Sequence, residues 1–202
     1  MTMADENYHF VYREHAQALY DTLRDDAFYI TMEQSVRDER EQYEALLRYL
    51  DYSMLEAKIY GLLRFPETRQ QGVAIWSKPL VAEDELRKKD AKLDFLRRHM
   101  GDSSAATYSD IVAFMSAQSD ELIDASAWYL SIVGVFPEFQ NRGLGNSLVG
   151  ATLELADRTG VVTFLETFTP RNEPFYERLG YRVAGRYFEP TIGANYALMV
   201  RE

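Results

Sequence analysis

A strand, a glycine-containing turn, a helix and a second strand follow one another between residues 128 and 168, and this succession constrains the fold most. Aromatic and β-branched residues crowd between Trp128 and Val135, which predicts a β-strand. The strand should end before Pro137, because proline has no backbone N–H to donate to a sheet. A strand, a helix and another strand in sequence indicate an α/β architecture.

The turn between this strand and the helix, residues 140 to 145 (QNRGLG), suits an anion. The first turn of a helix has backbone N–H groups without intrahelical partners, and the helix dipole adds partial positive charge. Gly143 and Gly145 should let a phosphate approach this backbone, and Arg142 adds a full charge. By itself, the Gly-x-Gly motif also fits an ordinary strand-to-helix turn, so both interpretations stay open. The chain lacks the longer glycine patterns of dinucleotide and nucleoside triphosphate sites.

Residues 133 to 145 (VGVFPEFQNRGLG) resemble the acetyl-CoA signature of the GNAT superfamily of acyl-CoA-dependent N-acyltransferases. The core of that signature is Gln/Arg-x-x-Gly-x-Gly/Ala, and Gln140, Gly143 and Gly145 occupy its fixed positions. Downstream, residues 172 to 181 (NEPFYERLGY) resemble the family's region of an Asn, a Phe-Tyr pair and a Gly-aromatic pair. The close resemblance is confined to the C-terminal part of the chain.

Pattern and resemblance together imply an α/β fold in a single domain over residues 1–202. We expect a mixed, mostly antiparallel sheet with helices on both faces, as in the GNAT-like acyl-CoA N-acyltransferase fold. Residues 128–181 would form the acetyl-CoA-binding core. Residues 79–125, rich in charged helix formers, would be a helical insertion that either walls the acceptor pocket or caps the sheet.

The remaining elements follow from hydrophobic periodicity and turn residues. We predict a short strand over 9–12, helices over 14–23, 33–55, 83–100 and 108–123, and a hairpin of strands 58–65 and 72–78 around a turn at 67–70. Beyond the first strand and helix of the core, we predict a strand over 161–168, a short helix after residue 172, and closing strands over 181–188 and 196–200.

The resemblance implies acetyl-CoA as the acyl donor, with no metal. Its phosphates would lie on the glycine turn, and its pantetheine arm would bond backbone groups exposed where the first strand splays from the next. The implied cofactor-binding residues are Val133, Gly134, Val135, Gln140, Asn141, Arg142, Gly143, Leu144, Gly145, Asn146, Ser147, Asn172 and Tyr176. For Gly134, close approach of a ligand and a simple bulge are compatible explanations. Asn172 also suits a helix N-cap.

Two residues are candidates for proton transfer. In the family, a tyrosine at the position of Tyr176 lies near the CoA sulfur and is the usual candidate for protonating the departing thiolate, and a phenol suits that role; the alternative is a packed aromatic ring. Some relatives carry a glutamate early in the acetyl-CoA strand, but here that stretch is Trp128, Tyr129 and Leu130. Glu166 on the following strand is therefore the candidate base, although a solvent-facing or paired carboxylate is an open alternative. Removal of the amine proton through ordered water, or an amine that is already neutral, stays open as well.

The acceptor is expected to be a primary amine of a small molecule or peptide. Trp76 and Tyr129 would line its pocket with Glu166, unless these large aromatics belong to the core. Because members of the family are often dimers, the resemblance also implies a homodimer, although no residue identifies the interface.

Composition narrows the function further. With 22 Lys and Arg against 32 Asp and Glu, the net charge of −10 opposes nucleic acids and anionic membranes as partners. There is no cysteine, which excludes thiolate catalysis and Cys-based zinc sites within this chain. The three histidines have no metal-ligand spacing. Without a recognisable signal peptide or a membrane-spanning apolar run, we expect a cytoplasmic location.

Two hypotheses from different classes follow. The first is an acetyl-CoA-dependent N-acetyltransferase in which the amine attacks directly within a ternary complex, since a cysteine acyl-enzyme cannot form. The second is a non-catalytic acyl-CoA-binding or regulatory module, which the missing early-strand glutamate favours.

Overall fold

The computed structural model describes residues 8–66, 71–140 and 142–202. Its strands form one sheet in the order β1-β2-β3-β4-β6-β5. Neighbouring strands are antiparallel except β3 and β4, which are parallel, so the predicted mixed, mostly antiparallel sheet is confirmed. The strands are β1 (Gly61–Arg64), β2 (Gly72–Ser77), β3 (Trp128–Val135), β4 (Thr163–Thr167), β5 (Arg182–Glu189) and β6 (Ala194–Arg201).

Helices cover both faces of this sheet, again as predicted. They are α1 (Arg13–Leu23), α2 (Ala27–Gln34), α3 (Gln42–Tyr60), α4 (Ala82–His99), α5 (Asp102–Asp120), α6 (Leu144–Thr159) and α7 (Glu173–Arg178). The predicted hairpin turn over 67–70 lies outside the described residues.

Two predictions for the N-terminal part are wrong. The helix expected over 33–55 is two helices, because side chains between them bond to the backbone locally: Asp38 accepts from the Arg40 N–H at 3.1 Å, and Gln42 donates to the Val36 carbonyl at 3.0 Å. The strand expected over 9–12 does not form, since the N–H groups of Val11 and Tyr12 donate to the Asp51 carboxylate.

Each face of the sheet carries its own hydrophobic core, because successive side chains of a strand point to opposite faces. Val73 and Ile75 of β2 belong to the first core, with buried residues of α1 to α5. Ala74 and Trp76 belong to the second core, with residues of α6 and α7. The segment 79–125 contains α4 and α5, whose buried residues join the first core; α4 packs on α3 and α5, and α5 also packs on α2 and β5. Its role as a wall of the acceptor pocket or as a cap stays a prediction.

A β-bulge interrupts the pairing of β2 with β3. Ile75 lies opposite Ile132 and Trp76 opposite Leu130, which leaves Ser131 as the extra residue. The Ser131 hydroxyl donates to the Ile75 carbonyl at 3.2 Å. As a result, Leu130 packs in the second core but Ile132 packs in the first. The bulge bends β3 shortly before the segment expected to bind the pantetheine arm.

Candidate active site

The first element of the site is the separation of β3 from β4. The two strands pair at only two positions, Trp128 with Thr163 and Tyr129 with Phe164. Beyond Tyr129, β3 remains paired with β2 but no longer with β4. The backbone groups of residues 130–135 that point away from β2 therefore face an opening, and the splay expected from the sequence is present.

Gly134 lies in the opened part of β3, and its missing side chain is explained by α1. A Cβ atom at this position would lie 2.6 Å from the Leu19 Cδ2 atom and 3.4 Å from the Thr22 Cγ2 atom. The bulge lies at Ser131, three residues earlier, so a bulge does not account for this glycine. Close packing of α1 against β3 favours glycine here, so the glycine is explained without a ligand.

Gly143 and Gly145 of the turn have different structural roles. Gly143 is the N-cap residue of α6 with φ of +76°, a left-handed conformation that favours glycine. A Cβ atom there would meet nothing within 4 Å, so the space beside it is open. At Gly145, a Cβ atom would lie 2.8 Å from the ring of Phe175, so this glycine lets α7 pack against α6. Asn141 lies outside the described residues.

Side chains of the turn brace it or face outward. The Gln140 amide donates to the Val135 carbonyl at 3.0 Å, which fastens the turn to the end of β3. The exposed Arg142 guanidinium lies 5.7 Å from the centre of the Phe139 ring. The Ser147 hydroxyl donates to the Leu144 carbonyl at 2.9 Å. Gly143 has no side chain to cap α6, and its carbonyl accepts from the Asn146 N–H at 3.2 Å, so the N–H groups of Gly143, Leu144 and Gly145 are the ones available to an anion.

Tyr176 on α7 is 8% exposed and packs edge-on against Phe175 and Tyr181. Its hydroxyl has no hydrogen-bond partner within the described ranges. Burial, and secondarily the Asp26 carboxylate, raises the pKa of Tyr176, so the phenol keeps its proton. Asn172 occupies the N-cap position of α7 as predicted, but its side chain is exposed and makes no capping hydrogen bond.

Glu166 and Tyr129 meet where β3 and β4 part. The Tyr129 hydroxyl donates to Glu166 Oε2 at 3.2 Å, and the Tyr129 ring stacks on Phe164 at 4.9 Å. Burial raises the pKa of Glu166 to about 7, although the hydrogen bond from Tyr129 acts in the opposite direction. A carboxyl group with this pKa can accept a proton near neutral pH.

The structure does not bring Trp76 to these two residues. Its side chain is 0% exposed and belongs to the second core, on the face of the sheet opposite Glu166. The grouping of Trp76 with Tyr129 and Glu166 in an acceptor pocket is thus corrected. The alternative interpretation, a core aromatic residue, holds for Trp76.

The model of the Acetyltransferase (GNAT) family matches residues 67–181 of the chain, which is more than half of its length. The chain belongs to this family. An uncharacterized N-acetyltransferase of Schizosaccharomyces pombe is 21% identical over 181 residues, covering 84% of this chain and 70% of the yeast protein. The protein is therefore an acetyltransferase, and the alternative of a non-catalytic module is not retained.

Solved GNAT acetyltransferases share the fold. A Corynebacterium glutamicum protein described as histone acetyltransferase HPA2 and related acetyltransferase superposes with a TM-score of 0.62 and 18% identity, covering 93% of this chain and 88% of that one. Arylalkylamine N-acetyltransferase 2 of Aedes aegypti superposes with a TM-score of 0.51 and 14% identity, covering 96% and 97%. At these identities the likeness concerns the fold alone.

GNAT enzymes take their acetyl group from acetyl-CoA and act on amine acceptors that include small molecules and peptides. The described residues fit this donor in two respects: the opened edge of β3 offers backbone groups, and the space beside Gly143 is open at a helix N-terminus. Within the described residues, no three His, Cys, Asp or Glu side chains are grouped to hold a metal ion. Nor is any described helix both long and apolar enough to cross a bilayer.

Asp26 is a residue of the site that the sequence analysis missed. It is the N-cap of α2, where its carboxylate accepts from the Phe28 N–H at 3.0 Å. The same carboxylate accepts from the Thr169 hydroxyl at 3.2 Å, which joins the α1–α2 connection to the segment after β4. Burial raises the pKa of Asp26. An Asp before an apolar helical segment signals an N-cap, but nothing in the sequence indicates Thr169 as its partner.

Proposed function

We propose that this GNAT enzyme transfers the acetyl group of acetyl-CoA to a primary amine that attacks directly within a ternary complex. The observation that carries the proposal is the position of Glu166, a carboxyl group with a pKa of about 7, at the point where β3 and β4 separate. When bound, acetyl-CoA supplies a thioester whose carbonyl carbon is open to nucleophilic attack.

The backbone performs the binding in this proposal. The N–H groups of Gly143, Leu144 and Gly145 and the Arg142 guanidinium hold the diphosphate, since they combine a helix N-terminus with a full positive charge. The backbone groups of Val133 and the N–H of Val135 point away from β2 and hold the pantetheine arm, and an N–H among them stabilises negative charge on the thioester oxygen. The hydrogen bond from the Gln140 side chain to the Val135 carbonyl fixes the position of the glycine turn relative to the end of β3.

Glu166 acts as the general base. It accepts the proton that the amine nitrogen loses as the N–C bond forms, and the Tyr129 hydrogen bond orients its carboxylate. This assignment replaces the early-strand glutamate of some relatives, whose place is taken here by aromatic and apolar residues.

Tyr176 acts as the general acid. As the C–S bond breaks, its phenol donates a proton to the sulfur, and CoA leaves as the free thiol. The Tyr176 hydroxyl has no hydrogen-bond partner in the described part of the chain, so its proton is uncommitted. Because burial raises the pKa of Tyr176, the acid form persists across the working pH range.

A thiol-reactive chromophore tests the proposal cleanly, because the protein has no cysteine of its own to react. Purified enzyme is mixed with acetyl-CoA and primary amines of varied size, and CoA release is followed. Release that depends on both substrates, with mass-spectrometric detection of the N-acetylated amine, supports the proposal. In a parallel measurement, CoA should raise the melting temperature of the protein. The proposal would be contradicted if no amine of the panel increased CoA release above the rate without enzyme.

A further inference from the structure

Beyond Glu166, the same face of the sheet carries two buried acceptor atoms without a hydrogen bond. Glu189 is 0% exposed; its Oε2 atom accepts from the Ile192 N–H, but its Oε1 atom has no partner. Tyr196 is 2% exposed, and its hydroxyl has no partner either. Native interiors rarely leave such groups unsatisfied, so each calls for an explanation.

Strand register places these residues beside Glu166. Glu166 of β4 lies opposite Leu198 of β6, and Tyr196 is two residues from Leu198, so the three share a face. Tyr187 lies opposite Tyr196, and Glu189 lies opposite Ala194, which continues that face onto β5. Tyr196 therefore stands between two carboxyl groups. Burial first, and then the charges of Glu166, Tyr187 and Glu189, raise its pKa.

Aromatic rings enclose this position. The Tyr196 ring lies 5.2 Å from the Phe168 ring and 5.7 Å from the Tyr187 ring. Aromatic faces around a carboxylate favour a cation, which gains both the charge interaction and contact with the π systems. They also provide an apolar lining suited to a hydrocarbon chain.

The protein's own buried cations are engaged elsewhere. Among the described residues, the buried basic side chains are Arg48 and Lys92. Lys92 lies 3.3 Å from Glu56 and 4.7 to 4.9 Å from the rings of Tyr52 and Tyr49, and Arg48 lies 3.7 Å from Glu41. Lys92 shows that this side of the molecule does enclose an ammonium group between tyrosines and a glutamate. No described basic side chain is paired in this way with Glu189.

We propose that Glu189 and Tyr196 form a subsite for a second cationic nitrogen of the acceptor, so that the enzyme prefers an aliphatic diamine or polyamine. This inference rests on the proposed function, because it places the reacting amine at Glu166. The distal ammonium donates to Glu189 Oε1 and the Tyr196 oxygen, and the methylene chain lies along the Tyr196 and Phe168 rings. The product keeps one positive charge at the distal nitrogen.

Strand geometry limits the length of the acceptor. Gly185 and Glu166 both lie opposite Leu198, and Glu189 is four residues beyond Gly185. A rise of about 3.3 Å per residue and a strand spacing of about 4.8 Å place the two glutamate Cα atoms roughly 16 Å apart. Each side chain shortens this span, so a medium-length chain fits and a two-carbon diamine is too short.

The test compares hexylamine with 1,6-diaminohexane, which differ in whether the far end of the chain bears an ammonium group. We expect kcat/KM for the diamine to exceed that for the monoamine by about tenfold or more, as a buried charge-assisted hydrogen bond allows. In Glu189→Gln and Tyr196→Phe variants, this ratio should fall towards one. Glu154→Gln, the same charge change on the exposed face of α6, should keep the wild-type ratio.

Calorimetric titration of both amines into the CoA-saturated protein separates the two proposals. Tighter binding of the diamine, lost in Glu189→Gln, supports the subsite even if no amine is acetylated, in which case the proposed function alone fails. Equal affinity of wild-type protein for both amines overturns the subsite, whatever the turnover. A Glu189→Gln variant that melts earlier but keeps the diamine preference also overturns it, because Glu189 then only stabilises the turn at Ile192.

Discussion

Tyr129 donates a hydrogen bond to Glu166 across 3.2 Å, at the place where β3 and β4 cease to be paired. Tyr129 belongs to the last paired position, opposite Phe164, and Glu166 lies two residues further along β4. The tyrosine thus closes the narrow end of the opening and helps to shield the carboxyl group from water. Burial raises the pKa of Glu166 to about 7, and the tyrosine's hydrogen bond limits that rise.

Glu166→Gln should remove a pH-dependent step of the reaction. The carboxylate form that accepts a proton is populated only as pH rises through about 7, so the wild-type rate gains from Glu166 above that pH. We expect the ratio of wild-type to variant kcat/KM to climb with a midpoint near pH 7 and to level off at about a hundredfold. Taking the ratio cancels the titration of the amine itself.

Tyr129→Phe supplies the matched control for this pH profile. It removes the hydrogen bond that lowers the pKa of Glu166, so the midpoint should move above pH 7, and the rate at high pH should fall less than in Glu166→Gln because the carboxylate is still present. A midpoint that stays in place in this variant, or a flat ratio for Glu166→Gln, would remove Glu166 from the role of base.

Glu166 should also make the free energy of unfolding depend on pH. Its folded-state pKa of about 7 lies above the ordinary value of 4.5, so the native state holds a proton that the unfolded chain has released. The contribution of the protonated group is fully present below about pH 4.5 and is lost as pH rises through 7. We expect wild type to lose about 2–3 kcal/mol relative to Glu166→Gln across this window, measured by urea unfolding at each pH.

Tyr176→Phe should lower kcat by about a hundredfold while the KM for acetyl-CoA changes little, because the phenol acts on the leaving sulfur. The raised pKa of Tyr176 keeps it protonated in the assay range, so the midpoint assigned to Glu166 should not move. Tyr181→Phe is the control. The centres of the Tyr176 and Tyr181 rings are 6.2 Å apart, and the Tyr181 hydroxyl accepts a hydrogen bond from the Thr163 hydroxyl at 3.0 Å. That variant should lose about 1 kcal/mol of stability but keep its kcat.

Local patterns predicted the elements of the second half of the chain well, whereas side-chain partners distant in sequence were not predictable. The crowding of β-branched and aromatic residues located β3 at Trp128–Val135, the bounds found in the structure. The sequence does not indicate which face of the sheet a strand residue occupies. The prediction that Trp76 and Glu166 share a pocket is therefore wrong, because their side chains lie on opposite faces of the sheet. The partnership of Asp26 with Thr169 spans 143 residues and depends on the tertiary fold.

Substitutions at Gly143 and Gly145 should separate backbone conformation from packing. Gly143→Ala places a side chain into open space at φ of +76°, so we expect a loss of about 1 kcal/mol and weaker CoA binding. Gly143→Asn should recover most of the stability, because asparagine tolerates the left-handed conformation better.

Gly145→Ala would place its methyl group 2.8 Å from the Phe175 ring and should cost about 1–2 kcal/mol of stability. Its kcat should also be lower, because Tyr176 adjoins Phe175. Thermal melts and CoA titrations check both.

Gly134 and Leu19 should show coupled effects on stability, because helix α1 and the opened strand β3 meet at these two residues. Gly134→Ala puts a methyl group 2.6 Å from the Leu19 Cδ2 atom, which we expect to cost about 1–2 kcal/mol. Leu19→Ala alone should cost about 2–5 kcal/mol, since Leu19 is 0% exposed. In the double variant the added methyl occupies vacated space, so the total loss should fall short of the sum by about 1 kcal/mol or more.

Gly150→Ala is the matched control for this cycle. Gly150 lies within α6, and a Cβ atom there would meet nothing within 4 Å, so alanine should stabilise the helix by about 0.5–1 kcal/mol. Urea unfolding of all four proteins of the cycle, with this control, measures the coupling. Additive losses for Gly134→Ala and Leu19→Ala would mean that α1 does not press on β3, and the glycine would then have to be explained by the ligand that the opening accepts.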